Sequence, residues 1–338
     1  MADRLSPRAK VLGITAQVPL ARALALVVEL GIAERISQAP KTAAELAREL
    51  GQHPEALYRL LRMLAAEGIF REDDEGRFDH TGSSRVLTTD AEDSVAPLLS
   101  LAWQDIVWAT YLEMPHTIAT GEPAFDKAHG QAFFDYLSAN PEANALFDAA
   151  MALISGPEDA AVAQAFDFSR FSKIVDVGGG QGGLLAAILT RHPRLQGVLF
   201  DQPQVLAEPR YLTGPLMDRC ELIAGDFFHS LPAGADAYVL KRIIHDWDDA
   251  AAIQLLRNCA AAMSSKGRVL IAEAVMKPGN EPDPSKAQDV GMMLLTRGRE
   301  RTADEYRRLL DAAGLRLIEI HPAAMTVSLL EAGAKNAP

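Results

Sequence analysis

From residue 173 onward, short apolar and β-branched runs alternate with helical patterns. The runs cover Ile174–Val177, Gly197–Phe200, Glu221–Ile223, Ala237–Leu240, Arg268–Glu273, Leu315–Ile320 and Met325–Leu330. Such alternation is typical of a parallel, doubly wound sheet. The last two runs are separated by only a few residues around His321 and Pro322, too few for a helical crossover, so we expect them to pair antiparallel. The sequence therefore predicts a mixed sheet of seven strands that ends in an antiparallel hairpin.

A glycine-rich loop follows the first of these strands and precedes a helical run. It extends from Gly178 to Gly183, and glycine lets the backbone turn sharply and approach a ligand closely. Because Gly178, Gly180 and Gly183 also match the spacing of a dinucleotide-binding loop, the loop by itself leaves two cofactors open, NAD and S-adenosylmethionine.

Acidic residues near the ends of three successive strands separate these two cofactors. Asp176 precedes the glycines, where a carboxylate repels the pyrophosphate of NAD but suits an amino group. Asp201 suits the ribose hydroxyls, a contact that NAD enzymes share. Asp226 is placed for an adenine amino group, with Phe227 against the ring. Together with the antiparallel hairpin, these residues favour S-adenosylmethionine and the Rossmann-like class I methyltransferase fold over an NAD-dependent dehydrogenase.

A histidine and two glutamates follow the later strands of the predicted sheet. His245 comes after the fourth strand, Glu273 ends the fifth, and Glu300 precedes a helix that begins at Thr302. Ligands of open α/β sheets bind at the carboxyl edge of the strands, so we expect the imidazole and both carboxylates in one crevice.

Histidine suits the deprotonation of a phenol. A phenol has a pKa of about 10, so at neutral pH it is a poor nucleophile unless a base removes its proton. A carboxylate on the other ring nitrogen orients the imidazole and stabilises its protonated form. We predict no metal, because the acids are already assigned to cofactor and base.

Three segments carry a resemblance to a known family. In Asp176–Gly180, Lys241–Asp249 and Gly298–Thr302 the sequence resembles the plant caffeate-type small-molecule O-methyltransferases and their bacterial polyketide and phenazine relatives. The match extends over nearly the whole chain, including an N-terminal winged-helix dimerisation domain. It implies methylation of a small aromatic secondary metabolite; N-methylation or a non-methylating reaction stays the alternative.

The resemblance also implies residue roles. The implied cofactor contacts are Gly178, Gly180, Asp201, Asp226, Phe227 and Lys241. The implied base is His245, flanked by Glu273 and Glu300. The implied acceptor contacts are Phe147, Met151, Asp246 and Met292. By this resemblance the segment from Asp289 to Glu300 is one residue shorter than in the plant enzymes, so no substrate contact other than Met292 is carried over from it.

The N-terminal third predicts a winged helix. After apolar helical spacing from Val18 to Ile36, a capping box at Thr42 opens a short helix that Gly51 closes. Pro54 suits the first turn of the next helix, which ends near Gly68. Ile69–Arg71 and Arg77–His80 then flank an acidic turn, which indicates a hairpin.

A winged helix raises the hypothesis of a DNA-binding regulator, which the charges oppose. From Lys41 to Arg71 there are five Lys or Arg against four Glu, the turn holds Asp73, Asp74 and Glu75, and the whole chain carries a net charge of -12. The charges therefore oppose binding to nucleic acid, and the apolar content of the first helices favours self-association into a homodimer instead.

The chain length of 338 residues predicts more than one domain. We expect a winged-helix dimerisation domain at 1–95, a helical linker that lines the substrate pocket at 96–155, and a cofactor-binding domain at 156–338. The apolar run Val18–Leu30 is interrupted by Arg22 and Glu29, and the two cysteines are too few for a disulfide framework. These features predict a cytoplasmic protein that does not bind membranes.

Overall fold

The computed structural model describes residues 6–91, 93–207, 209–324 and 327–335. Within these ranges the chain forms two compact units. The first consists of the residues up to 108 together with 137–153, and the second consists of 109–136 together with the residues from 154 onward.

The first unit contains the helices and the small sheet that the N-terminal sequence predicts. Its elements are α1 (Pro7–Glu29), α2 (Ile32–Ile36), β1 (Lys41–Thr42), α3 (Ala43–Leu50), α4 (Pro54–Ala66), β2 (Phe70–Glu72), β3 (Arg77–His80), α5 (Gly82–Arg85) and α6 (Ala96–Ala102). The capping box at Thr42 is formed, Gly51 ends α3 with a left-handed backbone, and Pro54 begins α4. Strand β3 pairs antiparallel with β1 and β2. The predicted N-terminal helical domain with its hairpin is confirmed.

Helix α1 is longer than the sequence pattern predicts. It begins at Pro7 rather than near Val18, because Ser6 accepts a hydrogen bond from the Ala9 N–H and proline suits the first turn. By length and composition alone, this helix of 23 residues could cross a membrane. Its N-terminal half exposes large apolar side chains, which are Val11, Leu12, Ile14 and Val18.

Five helices connect the winged-helix elements to the large sheet. They are α7 (Asp105–Leu112), α8 (Met114–Thr120), α9 (Ala124–His129), α10 (Phe133–Ala139) and α11 (Pro141–Ala165). The last of these is a helix of 25 residues that passes from the first unit into the second.

The second unit is built on the predicted mixed sheet. Its elements are β4 (Lys173–Val177), α12 (Gly183–Arg191), β5 (Gln196–Asp201), β6 (Cys220–Ala224), β7 (Ala237–Lys241), α13 (Asp249–Ala262), β8 (Arg268–Met276), α14 (Ser285–Leu295), β9 (Arg301–Thr302), α15 (Ala303–Ala312), β10 (Leu315–Ala324) and β11 (Val327–Ala334). The strand order is β10-β11-β8-β7-β4-β5-β6, and the two-residue strand β9 pairs with β8. Strands β4 to β8 run parallel, whereas β11 is antiparallel to both β10 and β8. The predicted architecture is confirmed.

Three strands continue at least three residues beyond their predicted ends. Strand β8 runs to Met276, so Glu273 lies inside it rather than at its end, and β11 runs to Ala334 rather than Leu330. Strand β10 continues through His321 and Pro322 to Ala324, where the sequence pattern indicated the connection between the last two strands. A proline is tolerated there because β10 lies at the edge of the sheet. Met325, predicted to begin the last strand, lies outside the described residues.

The central strands β4, β5, β7 and β8 are buried on both faces, which explains their continuous apolar sequences. Val175 and Leu240 pack in one core cluster, and Ile174 and Val239 pack in the other. Because β4, β5, β7 and β8 are parallel, the segments that follow them emerge at the same edge of the sheet.

Candidate active site

His245 lies in a 3-10 turn, Ile244–Asp246, just after β7. Its side chain is buried, and its Nδ1 is 2.8 Å from Glu300 Oε1 and 3.7 Å from Glu273 Oε2. The other ring nitrogen, Nε2, is 3.6 Å from Asp246 Oδ1, beyond hydrogen-bond distance. The structure therefore brings the three residues predicted for catalysis together, with the carboxylates of both glutamates on the Nδ1 side of the ring.

The electrostatics of this cluster favour a protonated imidazole. Burial by itself lowers the pKa of His245, but the charge of Glu273, the hydrogen bond with Glu300 and the charge of Asp246 raise it to about 9. Burial raises the pKa of Glu273, and it raises the pKa of Asp246 to about 7. The cluster thus holds a strongly basic imidazole beside carboxylates that are themselves destabilised by burial.

We expect the imidazole of His245 to titrate with a midpoint near 9 in the cofactor-free enzyme, and NMR of its ring protons as a function of pH measures that midpoint. Glu300→Gln should lower this midpoint, because the variant removes a negative charge that favours the protonated ring. Glu319→Gln, on the exposed side of β10, is the matched control and should leave it unchanged. A wild-type midpoint at or below the ordinary histidine value would contradict the electrostatic assignment.

Glu273 has a second set of partners. Its Oε1 accepts hydrogen bonds from the backbone N–H groups of Ile243 and Ile244, both at 2.9 Å, and more weakly from that of His245 at 3.4 Å. Glu273 therefore binds the main chain more closely than the imidazole, which the sequence did not predict.

The glycine loop has the backbone that its sequence requires. The φ angles of Gly178, Gly180 and Gly182 are positive, and residues with a Cβ rarely adopt such angles. A Cβ on Gly178 would lie 2.6 Å from the side chain of Ile243. Asp201, the last residue of β5, accepts a hydrogen bond at 2.9 Å from the Gly180 N–H. The structure thus brings the loop and Asp201 together.

The other two predicted cofactor acids differ in their surroundings. Asp176 lies inside β4 and is almost fully buried; burial and the charge of Asp159 raise its pKa to about 7. Its Oδ2 has no hydrogen-bond partner among the described residues. Asp226 is exposed, and its Oδ2 is 2.7 Å from the Nδ1 of His229. The ring of the next residue, Phe227, lies edge-on to the ring of Trp247.

Lys241 ends β7 and forms a buried ion pair with Asp159 of α11. The neighbouring Arg242 forms a second buried ion pair, with Glu158. Sequence reasoning missed both acids, although adjacent Glu158 and Asp159 stand out in the mostly apolar second half of their helix and are opposite in charge to the adjacent cations. Asp159 also lies close to the glycine loop. A Cβ on Gly183 would be only 2.4 Å from the Asp159 Oδ2 atom.

The residues predicted to contact the acceptor occupy different elements. Phe147 and Met151 are partly buried on the part of α11 that belongs to the first unit. Met292 is partly buried on α14 in the second unit, and Asp246 adjoins His245. In the segment from Asp289 to Glu300, Asp289 accepts a hydrogen bond from the Glu300 N–H at 2.8 Å.

The same three catalytic candidates meet the distance requirement of a metal site. One ligand atom each from His245, Glu273 and Glu300 lies within 4.8 Å of the others. A reaction without a metal therefore stays a prediction.

Two family descriptions match the chain. The O-methyltransferase domain matches residues 111–316, more than half of the chain, and the O-methyltransferase dimerisation domain matches residues 18–90. A phenazine O-methyltransferase of Lysobacter antibioticus is 39% identical over 92% of this chain and 92% of its own length. An 8-amino-8-demethylriboflavin N,N-dimethyltransferase of Streptomyces davaonensis is 34% identical over 90% of this chain and 89% of its own length.

A solved structure adds ligands to these similarities. An O-methyltransferase of neocarzinostatin biosynthesis, crystallised with S-adenosylmethionine and 2-hydroxy-5-methyl naphthoic acid, is 34% identical to the chain. Its fold matches with a TM-score of 0.82 over 98% of this chain and 100% of that chain.

Proposed function

Because the chain belongs to the O-methyltransferase family, we propose that it transfers a methyl group from S-adenosylmethionine to a phenolic or enolic hydroxyl of a small aromatic metabolite. His245 is the general base in this proposal, oriented by Glu300 and Glu273. The observation that carries it is the buried Nδ1 contact of His245 with Glu300 at 2.8 Å, which directs Nε2 away from the glutamates.

The raised pKa of His245 suits an acceptor of low acidity. Moving a proton from a phenol of pKa about 10 to an imidazole of pKa about 9 costs roughly 1 kcal/mol, against about 5 kcal/mol for an ordinary histidine. In return, only about 1% of the imidazole is deprotonated at pH 7 in the cofactor-free enzyme. The neighbouring carboxylates therefore lower the free-energy cost of proton transfer from the phenol to His245. They also keep most of the imidazole protonated at pH 7.

The residues at the glycine loop fit a cationic cofactor. Asp176 has a buried carboxylate oxygen without a partner among the described residues. Burial and the nearby charges of Asp159 and Asp201 raise the pKa of Asp176, against the opposing charge of Lys241. A ligand with a positively charged amino group and sulfonium relieves this excess of negative charge. When bound, S-adenosylmethionine supplies the electrophilic methyl group.

Individual contacts to the cofactor follow from the family resemblance and the sheet edge. In the proposal Asp201 binds the ribose hydroxyls, Asp226 the adenine amino group and Phe227 the adenine ring. Lys241 and Asp176 bind the amino-acid part. The residues proposed to contact the acceptor are Phe147, Met151, Asp246 and Met292, whose apolar members exclude water from the reacting oxygen.

N-methylation is the second candidate, and one relative of this chain is an N,N-dimethyltransferase. The basic His245 argues for an oxygen acceptor, because an aromatic amine attacks through its lone pair without prior loss of a proton. A dependence of rate on His245 therefore separates the two.

The test of the proposal is methyl transfer from S-adenosylmethionine labelled in its methyl group to a panel of hydroxylated and aminated naphthoates, phenazines and simple phenols. We expect the label in a hydroxylated member, seen by mass spectrometry as a gain of one methyl on oxygen. Transfer only to amines, or none to any hydroxyl, would overturn it.

The dimerisation domain leads us to propose a homodimer that covers the exposed apolar face of α1. Val11, Ile14 and Val18 recur at helical spacing and form one stripe. We expect the wild type to sediment as a dimer and Ile14→Glu to shift it toward monomer, because the variant buries a charge in the interface. Ile318→Glu, on an exposed apolar residue of β10, is the control. A monomeric wild type would contradict the proposal.

We also propose the domain limits that the sequence predicts, 1–95, 96–155 and 156–338, and a cytoplasmic location without binding to nucleic acid or membranes. The acidic turn of the winged helix and the net charge of -12 support the part of this proposal that concerns nucleic acid.

A further inference from the structure

The segment that carries His245 lacks regular secondary structure of its own. This segment, residues 242–247, is the His245 loop; it contains one 3-10 turn between β7 and α13. Arg242, the first residue of the loop, has a φ of 58°. Residues with a Cβ rarely adopt this left-handed conformation. Contacts from other parts of the chain must therefore hold the loop in place.

One set of contacts binds the N–H groups of the loop. The Glu273 carboxylate accepts from Ile243 and Ile244 at 2.9 Å. These contacts leave the carbonyl groups of the loop to be satisfied elsewhere, and a buried carbonyl without a donor is costly.

The carbonyl groups are bound by the segment that carries Glu300. Arg301 donates to the Ile244 carbonyl at 3.1 Å and to the Trp247 carbonyl at 2.9 Å. The Arg299 N–H donates to the His245 carbonyl at 2.8 Å. Gly298 permits this close approach, since a Cβ there would lie 1.9 Å from the same carbonyl oxygen. One short segment thus binds both the imidazole, through Glu300, and the main chain that carries it.

Arginine has the shape that these contacts require. Its planar guanidinium presents several N–H donors in a fixed fork, on nitrogens that are spaced to reach two separate carbonyl oxygens, whereas the three donors of a lysine ammonium all lie on one nitrogen. Arg301 is only 1% exposed, and Asp249 at the start of α13 holds its guanidinium with an oxygen 2.8 Å away. The Asp249 side chain is itself 58% exposed, so it can be changed without opening a cavity.

We infer that Arg301 is a positioning residue of the methyl transfer, which sets the place of His245 relative to the acceptor oxygen through the main chain of the His245 loop. This inference rests on the proposed function, in which His245 is the base. Asp249 acts through Arg301, because its carboxylate orients the guanidinium.

The test compares Arg301→Lys and Asp249→Asn with wild type. We expect Arg301→Lys to lower kcat by about tenfold to a hundredfold, the scale of a misplacement of about 1 Å, and Asp249→Asn to lower it less. The KM for the acceptor and the calorimetric Kd for S-adenosylmethionine should stay near their wild-type values. The calorimetric stoichiometry should also stay unchanged, because an unfolded fraction would lower it together with the apparent kcat. Arg307→Lys, on an exposed arginine of α15, is the matched control.

Each outcome bears on the inference. Unchanged kcat in Arg301→Lys and Asp249→Asn would overturn it, and so would a Kd for S-adenosylmethionine that weakens in step with kcat. If Arg301→Lys does not fold, Asp249→Asn decides alone. His245→Ala in the same assay tests the proposed function separately from the role of Arg301. A wild-type kcat in that variant would show that His245 is not the base, and the role of Arg301 would fall with it.

Discussion

His245→Ala should lower kcat by about a hundredfold or more while the Kd for S-adenosylmethionine stays near its wild-type value, because general-base catalysis contributes about that factor. The variant removes the group that accepts the acceptor's proton and leaves the glycine loop and Asp201 intact. Rates are measured at saturating cofactor by mass spectrometry of the methylated product, and the Kd is measured by calorimetry.

Two further measurements sharpen this result. Raising the pH should restore part of the rate of His245→Ala, since hydroxide then ionises the phenol in solution. His53→Ala, on an exposed histidine at the start of α4, is the matched control and should keep full activity. Wild-type turnover in His245→Ala would show that His245 is not the base.

Asp201→Ala should weaken the binding of S-adenosylmethionine by about tenfold to a hundredfold, as expected for the loss of hydrogen bonds to a charged group. The carboxylate is proposed to bind the ribose, and it also accepts a hydrogen bond from the Gly180 N–H. Both contacts are lost in the variant. Calorimetric titration with S-adenosylmethionine measures the change in Kd.

A second variant separates the contribution of the ribose contact from that of the hydrogen bond with the glycine loop. Asp201→Asn keeps an oxygen for the Gly180 N–H but removes the charge, so an intermediate Kd would indicate that both contacts count. Glu221→Ala, on the exposed edge strand β6, is the control for loss of a nearby carboxylate. An unchanged Kd in Asp201→Ala would contradict the assignment of the ribose contact.

Much of the fold could be predicted because its signals are local. The capping box at Thr42, the left-handed Gly51 and the proline that begins α4 each act within a few residues of their own position. The buried strands are recognisable as short apolar runs, because a parallel sheet is covered on both faces. The start of α1 was missed, since Ser6 and Pro7 stand well before the apolar spacing that indicated the helix.

The candidate site was predictable only as a set of residues at one sheet edge. Parallel strands bring Asp201, Lys241 and Glu273 to that edge by topology, which the alternation of strands and helices already implies. The division of labour between the two glutamates was not predictable. Each could have bound the imidazole, and only the structure places Glu300 on Nδ1 and the Glu273 oxygen on the loop amides.

The sequence alone therefore determined the sheet, the glycine loop and the chemical types gathered beside it, because strand periodicity and turn residues are properties of neighbouring positions. The tertiary structure alone decided the partners of His245, the hydrogen bonds of Arg301 to the loop carbonyls and the ion pair of Lys241 with Asp159. Those contacts join groups that are tens of residues apart along the chain. Burial, which shapes the basicity of His245, exists only once the chain has folded.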